Sequence, residues 1–259
     1  MANQKASISR IAIQAGAVVA ETGEKILQRF SITLPWWLNK TAHIPILMYH
    51  SISIHPGNEE REALAVTPEM FEAQMAYLAR HSYTPITLER VYSYFAGQAT
   101  LPAKPIVLTF DDGYVDFYFN AYPILQKYGF HAVCFIITGA VGQEEYLSWD
   151  QIREMQSSGL VSFEAHTVTH PNLPKLSSIR LLSELADSKY ILQAQTGRTS
   201  NFIAYPYGRT NLAVKQAAQQ AGFLGGVGVW YGKASHAGMN MPRIQVDRQM
   251  SLQTFAARL

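Results

Sequence analysis

The sequence of 259 residues has a single cysteine, Cys134, so an internal disulfide is excluded. Its Lys and Arg residues form no basic blocks and its formal net charge is only +2, which argues against a nucleic-acid partner. Cys134 stands in the apolar run 132–137, where we expect a buried thiol. There is no low-complexity tract, and 48% of the residues are apolar. This composition can fill one large core, and the length suits one barrel domain of ~200 to 250 residues.

The segment 1–40 lacks a long apolar run. Its longest, 15–20, falls short of the ~20 residues of a membrane span and of the ~7 to 15 residues of a secretory signal core. Apolar residues nevertheless recur there at helical spacing, and Trp36 and Trp37 follow near its end. We predict a helical extension packed on the next domain. The alternative is a membrane-surface anchor with the Trp pair at its rim.

Two adjacent carboxylates, Asp111 and Asp112, end the apolar run 106–110. Such a run is typical of a buried strand that delivers acid groups to its carboxyl end. Because side chains alternate along an extended segment, the two would point in different directions. One could bind a metal and the other could transfer a proton. The alternative is an Asp-Asp-Gly turn with no catalytic role.

Two histidines, His166 and His170, follow a second extended run, 160–163. On a helical turn their four-residue spacing would bring both imidazoles to one face, within reach of one ion. Two imidazoles and one carboxylate leave coordination positions open for water and substrate, as a catalytic site requires. We therefore expect one divalent ion. Zn is favoured, and Co, Ni and Fe suit the same donors.

Three motifs taken together carry a family resemblance. Thr-Phe-Asp-Asp-Gly-Tyr at 109–114 and His-Thr-Val-Thr-His-Pro at 166–171 resemble the first two motifs of the polysaccharide deacetylase family, carbohydrate esterase family 4. Ala-Tyr-Pro-Tyr-Gly at 204–208 is similar to the third, and order and spacing agree over about 44–246. The resemblance implies a distorted (β/α) barrel of the α/β class, a divalent metal held by Asp112, His166 and His170, and Asp111 as the base.

The order of the predicted elements favours the same architecture. Strand-like and helix-like stretches alternate through the chain, which is typical of a parallel sheet with its site at the carboxyl ends of the strands. We assign 41–259 to the catalytic domain and 1–40 to the N-terminal extension.

His50 ends the apolar run that opens this domain. This opening resembles the family branch that acts on poly-N-acetylglucosamine, in which a histidine after the first strand is the general acid. The commoner arrangement places that acid in a Leu-x-His motif near the C-terminus, and Ile244-Gln245-Val246 has no histidine. We predict His50 as the acid. His236, in the loop after Tyr231, is the competing candidate.

One supporting group of the common pattern is missing. An arginine usually stands two residues before the proline of the third motif, where this chain has Ala204. Arg243 could supply the missing guanidinium to Asp111, or it could be an ordinary surface arginine. Both interpretations stay open at the level of sequence.

Four residues near the predicted mouth are assigned to substrate binding, because sugar rings stack on aromatic faces and apolar walls position an acetamide methyl. They are Tyr207, Pro206, Tyr114 and Trp230. The resemblance also implies that the backbone N–H of Tyr207 donates a hydrogen bond to the developing oxyanion. We expect Pro206, just before it, to fix an extended approach.

The leading hypothesis, based on the resemblance, is a metal-dependent hydrolase that removes N-acetyl groups from a polysaccharide containing N-acetylglucosamine, using metal-activated water. Two alternatives are kept: the same chemistry on a small amide or ester, and a catalytically inactive carbohydrate-binding protein, which the intact ligand set disfavours. The resemblance implies an extracytoplasmic or cell-surface location, although the sequence has no clear signal peptide.

Overall fold

The computed structural model describes residues 42–54, 57 and 59–259, and the predictions for 1–40 lie outside them. Within that part, the strands are β1 (Ile46–Tyr49), β2 (Thr84–Pro85), β3 (Pro105–Phe110), β4 (Ala132–Ile136), β5 (Val161–Ala165), β6 (Phe202–Ala204), β7 (Gly225–Tyr231) and β8 (Met241–Gln245). All pair in parallel, and seven close into a ring in the order β1-β3-β4-β5-β6-β7-β8. The short β2 pairs with β3 outside the ring. The predicted distorted (β/α) barrel is confirmed.

Helices connect and cover the strands. They are α1 (Glu59–Leu64), α2 (Pro68–Arg80), α3 (Leu88–Phe95), α4 (Tyr122–Tyr128), α5 (Trp149–Ser157), α6 (Ser178–Thr196), α7 (Leu212–Gln220) and α8 (Leu252–Arg258). Polar side chains cap two of these helices at their N-termini. Thr67 accepts the Met70 N–H at the start of α2, and Ser148 and Gln151 form a reciprocal capping box at the start of α5. No helix in the described residues is both long and apolar enough to cross a bilayer.

Alternation along the strands separates two apolar layers. Val107, Phe135 and Phe202 belong to an inner cluster that also contains residues of α3. Leu108 and Cys134 belong to the outer cluster, which packs against most of the helices. The cysteine is fully buried, as predicted. Because successive side chains point to opposite faces, the parity of a residue on its strand fixes whether it faces the barrel interior.

Two segments have irregular local structure. A π-helical turn, Phe117–Ala121, follows Asp116 and precedes α4. The Asp116 carboxylate does not cap it, and accepts hydrogen bonds from Ser51 Oγ and the Ile52 N–H. The segment 166–170 is a loop and not a helical turn, with Thr167 at φ 66° and His170 at φ 55°. The helical-spacing argument for the histidine pair was therefore wrong about backbone conformation.

Candidate active site

Three polar residues lie at the same end of the barrel, because each follows a strand at an inward-facing position. His50, Asp111 and His166 directly follow β1, β3 and β5, each on the inward-facing parity of its strand. β1 and β3 are adjacent, with Tyr49 opposite Phe110, so His50 and Asp111 emerge side by side. All three line a cavity of about 750 Å³, together with Asp112 and His170. Polar side chains from distant parts of the sequence therefore converge at the carboxyl ends of the strands.

Three donor groups in this cavity could hold one metal ion. One ligand atom from each of Asp112, His166 and His170 lies within 4.8 Å of the other two. The Nε2 atoms of His166 and His170 are 3.3 and 3.7 Å from Oδ1 of Asp112. Nδ1 of His166 donates to the Ala204 carbonyl at 2.7 Å, which leaves Nε2 to face the cluster. The donor types, their separation and this outer hydrogen bond fit a divalent ion.

The electrostatics of the cluster favour a cation. Although burial raises it, the pKa of Asp112 lies well below its usual range, because His166 hydrogen-bonds to the carboxylate and the nearby imidazoles favour its charge. Burial lowers the pKa of His166, but the contact with Asp112 and the charge of Asp111 outweigh burial and raise it. Burial and the neighbouring His166 lower the pKa of His170 to about 4. Ionised carboxylates thus lie beside a neutral imidazole of His170 near pH 7.

Asp111 is paired with a guanidinium from the far end of the chain. Arg243 Nη1 donates to Oδ1 at 2.8 Å and Nη2 donates to Oδ2 at 2.6 Å. Arg243 is 1% exposed, and it also donates to Thr109 Oγ1 and to the Gly228 carbonyl. Burial raises the pKa of Asp111, but the charge and hydrogen bonds of Arg243 outweigh burial and lower it. Arg243 is therefore a buried partner of Asp111, and the surface-arginine interpretation is wrong.

Backbone strain concentrates at this end of the barrel. In the part of the chain that the structure describes, six non-glycine residues have positive φ, and four of them are Asp112, Thr167, His170 and Tyr207. Such conformations persist only where surrounding contacts over-determine them, and they cluster at functional sites. The loops that carry the metal-ligand candidates are thus held in unfavourable conformations by their surroundings.

The two candidate general acids lie in different environments. His50 lines the cavity, and its buried Nδ1 has no hydrogen-bond partner among the described residues. His236 is exposed, with Ser235 Oγ 3.3 Å from its Nδ1, and it is outside the cavity lining. Gln245, in the C-terminal strand where the common pattern has its acid, also lines the cavity. The geometry brings His50, and not His236, to the carboxylates.

The candidate substrate-binding residues are divided by the structure. Tyr207 and Tyr114 line the cavity, and the Tyr207 ring lies 4.6 Å from the His170 ring. Pro206 is buried and Trp230 is exposed, and neither lines the cavity. Tyr207 has φ 58° and ψ 12°, so the expected extended approach at this residue is wrong. The turn continues through Gly208, where an added Cβ would lie 2.2 Å from a methyl group of Val229.

Sequence reasoning missed several residues around the cavity. The Arg61 guanidinium lies 3.8 Å over the Tyr114 ring and donates to Glu145 at 2.7 Å, which forms one wall. The Glu184 carboxylate accepts hydrogen bonds from two backbone N–H groups of the loop between the two histidines. A signal for Glu184 was present, because it is a charged residue within the buried stripe of α6, next to Leu185. Arg61 had no comparable local signal.

Comparison with known proteins agrees with this geometry. The family model for polysaccharide deacetylase matches residues 98–225. The Bacillus subtilis protein YxkH is 37% identical over 220 residues, which cover 84% of this chain and 76% of that protein. The poly-beta-1,6-N-acetyl-D-glucosamine N-deacetylase of Staphylococcus aureus is 34% identical over 184 residues, covering 64% of this chain and 63% of that protein. This chain thus spans just under two thirds of that enzyme.

A solved structure is similar to this chain over nearly its entire length. The deacetylase PplD of Streptococcus pyogenes, solved in complex with acetate, superposes with a TM-score of 0.78 at 34% identity. The match covers 84% of this chain and 98% of PplD. The chain belongs to the polysaccharide deacetylase family, carbohydrate esterase family 4. Its likeness to the Staphylococcus aureus protein agrees with the poly-N-acetylglucosamine branch that the sequence motifs resemble.

Proposed function

We propose that this protein removes N-acetyl groups from a polysaccharide that contains N-acetylglucosamine, in a metal-dependent hydrolysis. The observation that carries the proposal is the grouping of Asp112, His166 and His170 around one point, beside the ionised Asp111 at the base of an open cavity. Family membership supports the reaction class. The likeness to a deacetylase of a β-1,6-linked N-acetylglucosamine polymer supports the substrate class.

Asp112, His166 and His170 would hold the ion, and Zn is the one we favour among Zn, Co, Ni and Fe. When bound, such an ion supplies Lewis-acid activation of water and of an amide carbonyl. Asp112 contributes the negative charge of the ligand set. His166 enters with its Nε2 lone pair free, because its Nδ1–H is engaged by the Ala204 carbonyl.

Asp111 and His50 would move the protons. Asp111 accepts the proton of the attacking water, and Arg243 holds both of its oxygens in place and keeps it ionised. His50 reaches the same cavity from the adjacent strand and donates a proton to the departing amine. The base and the acid thus stand on neighbouring strands, so an amide placed between them is within reach of both.

Aromatic side chains would position the sugar. Tyr207 lines the cavity beside His170 with half of its surface exposed, so its face is available to a sugar ring. The backbone N–H of Tyr207 would donate to the oxyanion, as the family resemblance implies. Tyr114, held against Arg61, also lines the cavity. Pro206 shapes the turn, and Trp230 is assigned a sugar contact outside the cavity.

We also propose that residues 41–259 form the catalytic domain and 1–40 an N-terminal extension, whose association with a membrane surface remains an alternative to packing. A polymeric carbohydrate as partner follows from the same substrate assignment, and the scattered basic residues with a net charge of +2 disfavour a nucleic-acid partner. An extracytoplasmic or cell-surface location suits such a substrate.

The function is tested by measuring acetate release from β-1,6-linked N-acetylglucosamine oligomers, from chitin oligomers and from small acetamides. Activity on an oligomer that a chelator abolishes, and that added Zn²⁺ or Co²⁺ restores, is the expected result. Release from small acetamides alone would replace the polymer with a small substrate. Metal binding without hydrolysis of any of these would indicate a binding protein.

The acid is tested with a matched pair of histidine variants. His50→Ala should lower kcat by about 10²- to 10⁴-fold and remove the alkaline limb of the pH–rate profile, because proton donation to the amine is lost. His236→Ala, outside the cavity, should retain the parental rate and both limbs. If the two variants exchanged these results, His236 would be the acid.

A further inference from the structure

The loop between the two candidate histidine ligands is held in an unfavourable backbone conformation. Thr167 and His170 both have positive φ, at 66° and 55°. Within the loop, the His170 N–H donates to Thr167 Oγ1 at 3.0 Å. This bond closes the turn on itself but does not attach it to the rest of the domain. Contacts from outside the loop must therefore maintain the conformation that sets the position of His170.

One side of the loop is attached to the end of β4 through backbone groups. The Thr138 N–H donates to the Thr167 carbonyl at 3.1 Å, and the Gly139 N–H donates to the Val168 carbonyl at 2.9 Å. Gly139 is suited to this contact, because an added Cβ would lie 2.6 Å from the Val168 oxygen. These bonds use the carbonyl groups of the loop and leave its N–H groups to another partner.

That partner is the carboxylate of Glu184, on α6. Its Oε2 accepts the N–H groups of Val168 and Thr169, both at 2.9 Å, and its Oε1 accepts the Thr169 hydroxyl at 2.7 Å. Glu184 is only 4% exposed, and Leu181 and Leu185 are buried on the same face of the helix. An unpaired carboxylate would be costly there. The exposed Arg180 guanidinium is 4.0 Å from Oε1, and the three hydrogen bonds to the loop satisfy the carboxylate at shorter range.

The two histidines are supported differently. The His166 ring is fixed directly, because its Nδ1 donates to the Ala204 carbonyl. In the described residues no side-chain or backbone group hydrogen-bonds to the His170 ring, whose centroid is 4.6 Å from that of the tilted Tyr207 ring and whose Nε2 is 3.7 Å from Asp112 Oδ1. The direction of His170 therefore depends on the backbone on which it stands, and that backbone is bonded to Glu184.

We propose that Glu184 is a positioning residue for the metal site, which acts by holding the loop 167–170 so that His170 faces Asp112 and His166. This inference rests on the proposed metal-dependent function. Glu184 belongs neither to the cavity lining nor to the candidate ligand set, and its effect on the site would pass through two backbone N–H groups and one hydroxyl. Removing an outer hydrogen bond to a ligand side chain typically lowers metal affinity by about 10- to 100-fold, and we take this as the scale for bonds that hold the backbone of a ligand.

The test compares the full-length protein with Glu184→Ala, Glu184→Gln and Asp187→Asn, with Thr169→Val as a second route to the same contact. Asp187 is an exposed acid one turn along α6 and serves as the matched charge control. Zn²⁺ dissociation constants are measured by calorimetric titration of the metal-free proteins. Visible spectra of the Co²⁺ forms at saturation report coordination geometry, and thermal unfolding of the metal-free forms reports the fold.

Glu184→Ala should weaken Zn²⁺ binding by about 10-fold or more and change the Co²⁺ spectrum, because the loop loses all three bonds. Glu184→Gln should recover most of the affinity, since an amide oxygen still accepts both N–H groups and the Thr169 hydroxyl can accept from the amide nitrogen. Thr169→Val, which loses one bond, should fall between parent and Glu184→Ala. Asp187→Asn should match the parent.

The outcomes separate this inference from the proposed function. Parental Zn²⁺ affinity and Co²⁺ spectrum in both Glu184→Ala and Thr169→Val would overturn the positioning role while the metal-dependent function stands. A lowered unfolding temperature with unchanged affinity and spectrum would show a purely structural role and would overturn it equally. Failure of the parent itself to bind Zn²⁺ or Co²⁺ would overturn both.

Discussion

Two buried acidic residues occupy inward-facing positions of the barrel strands, and their surroundings differ. Asp111, at the end of β3, is 3% exposed and is bonded through both oxygens to the Arg243 guanidinium. Glu164, on β5, is 2% exposed, and its Oε2 accepts from the Ser200 hydroxyl and from the N–H groups of Asn201 and Phe202 at 2.7 to 2.8 Å. One acid has a cation as its partner, and the other has neutral donors.

This difference separates a reactive acid from a structural one. Burial and the charge of Glu89 raise the pKa of Glu164 to about 8, against the opposing effect of its three hydrogen bonds. For Asp111, burial acts in the same direction, but Arg243 outweighs it and the pKa is lowered. Asp111 thus remains a carboxylate although it is buried, and it can accept a proton. Glu164 instead ties β5 to the chain that enters β6.

Replacing each acid by its amide, in Asp111→Asn and Glu164→Gln, tests most directly which acid is reactive and which is structural. Asp111→Asn should lower kcat for acetate release by about 10²- to 10⁴-fold, because an amide cannot take the proton. It should also reduce the free energy of unfolding by about 3 to 5 kcal/mol, because the buried Arg243 is left without its counter-charge. Initial rates at saturating metal and urea unfolding measure the two effects. A variant that kept the parental kcat would remove Asp111 from the proposed mechanism.

Arg243→Lys should have the next largest effect. A lysine ammonium is a point charge and cannot bond both oxygens of Asp111 as the planar guanidinium does. We expect kcat to fall by about 10- to 100-fold with little change in KM, since the base is misplaced while the substrate wall is intact. Arg153→Lys, at an exposed arginine on α5, is the control and should change kcat by less than about twofold. Equal rates in both variants would show that the charge suffices without the geometry.

Local patterns predicted the elements of the fold well. The apolar run before Asp111 is β3, and the alternation of strand-like and helix-like stretches corresponds to the parallel barrel with its helices. These signals depend on residues close together in the sequence, where propensity and periodicity are informative. Family motifs added the residues of the cavity, including Asp112 and the two histidines, which the structure brings together.

The contacts that hold the cavity in shape were less accessible. Arg243 and Asp111 are 132 positions apart, so their pairing is set by the closure of the barrel, and the sequence left a surface arginine equally open. The loop 166–170 was expected to be helical, because the spacing of its histidines also suits a helix. Its backbone is hydrogen-bonded to Glu184 and to the residues after β4, and no local pattern shows that these groups meet the loop.

Glu164→Ala should lower the stability of the fold and leave the rate of acetate release unchanged. Glu164→Ala removes the acceptor of two buried donors and one partly buried donor, and each unsatisfied donor costs about 1 to 3 kcal/mol before relaxation or entering water offsets it. We expect a net loss of about 2 to 4 kcal/mol in the free energy of unfolding, measured in urea with metal absent. Acetate release at saturating metal should stay within about twofold of the parent under conditions where the variant is folded. A loss of activity without a loss of stability would contradict the structural role.

Glu164→Gln should have the smallest effect of the series. An amide oxygen can still accept the N–H groups of Asn201 and Phe202, and the Ser200 hydroxyl has the Phe202 carbonyl nearby at 3.3 Å as another acceptor. We therefore expect the free energy of unfolding to change by less than about 1 kcal/mol, with kcat unchanged. Because Glu164 and Asp111 share burial and inward parity, a large loss of activity here would mean that burial alone defines the reactive acid. If Glu164→Gln keeps its activity and stability while Asp111→Asn loses activity, the reactivity of Asp111 is due to its pairing with Arg243.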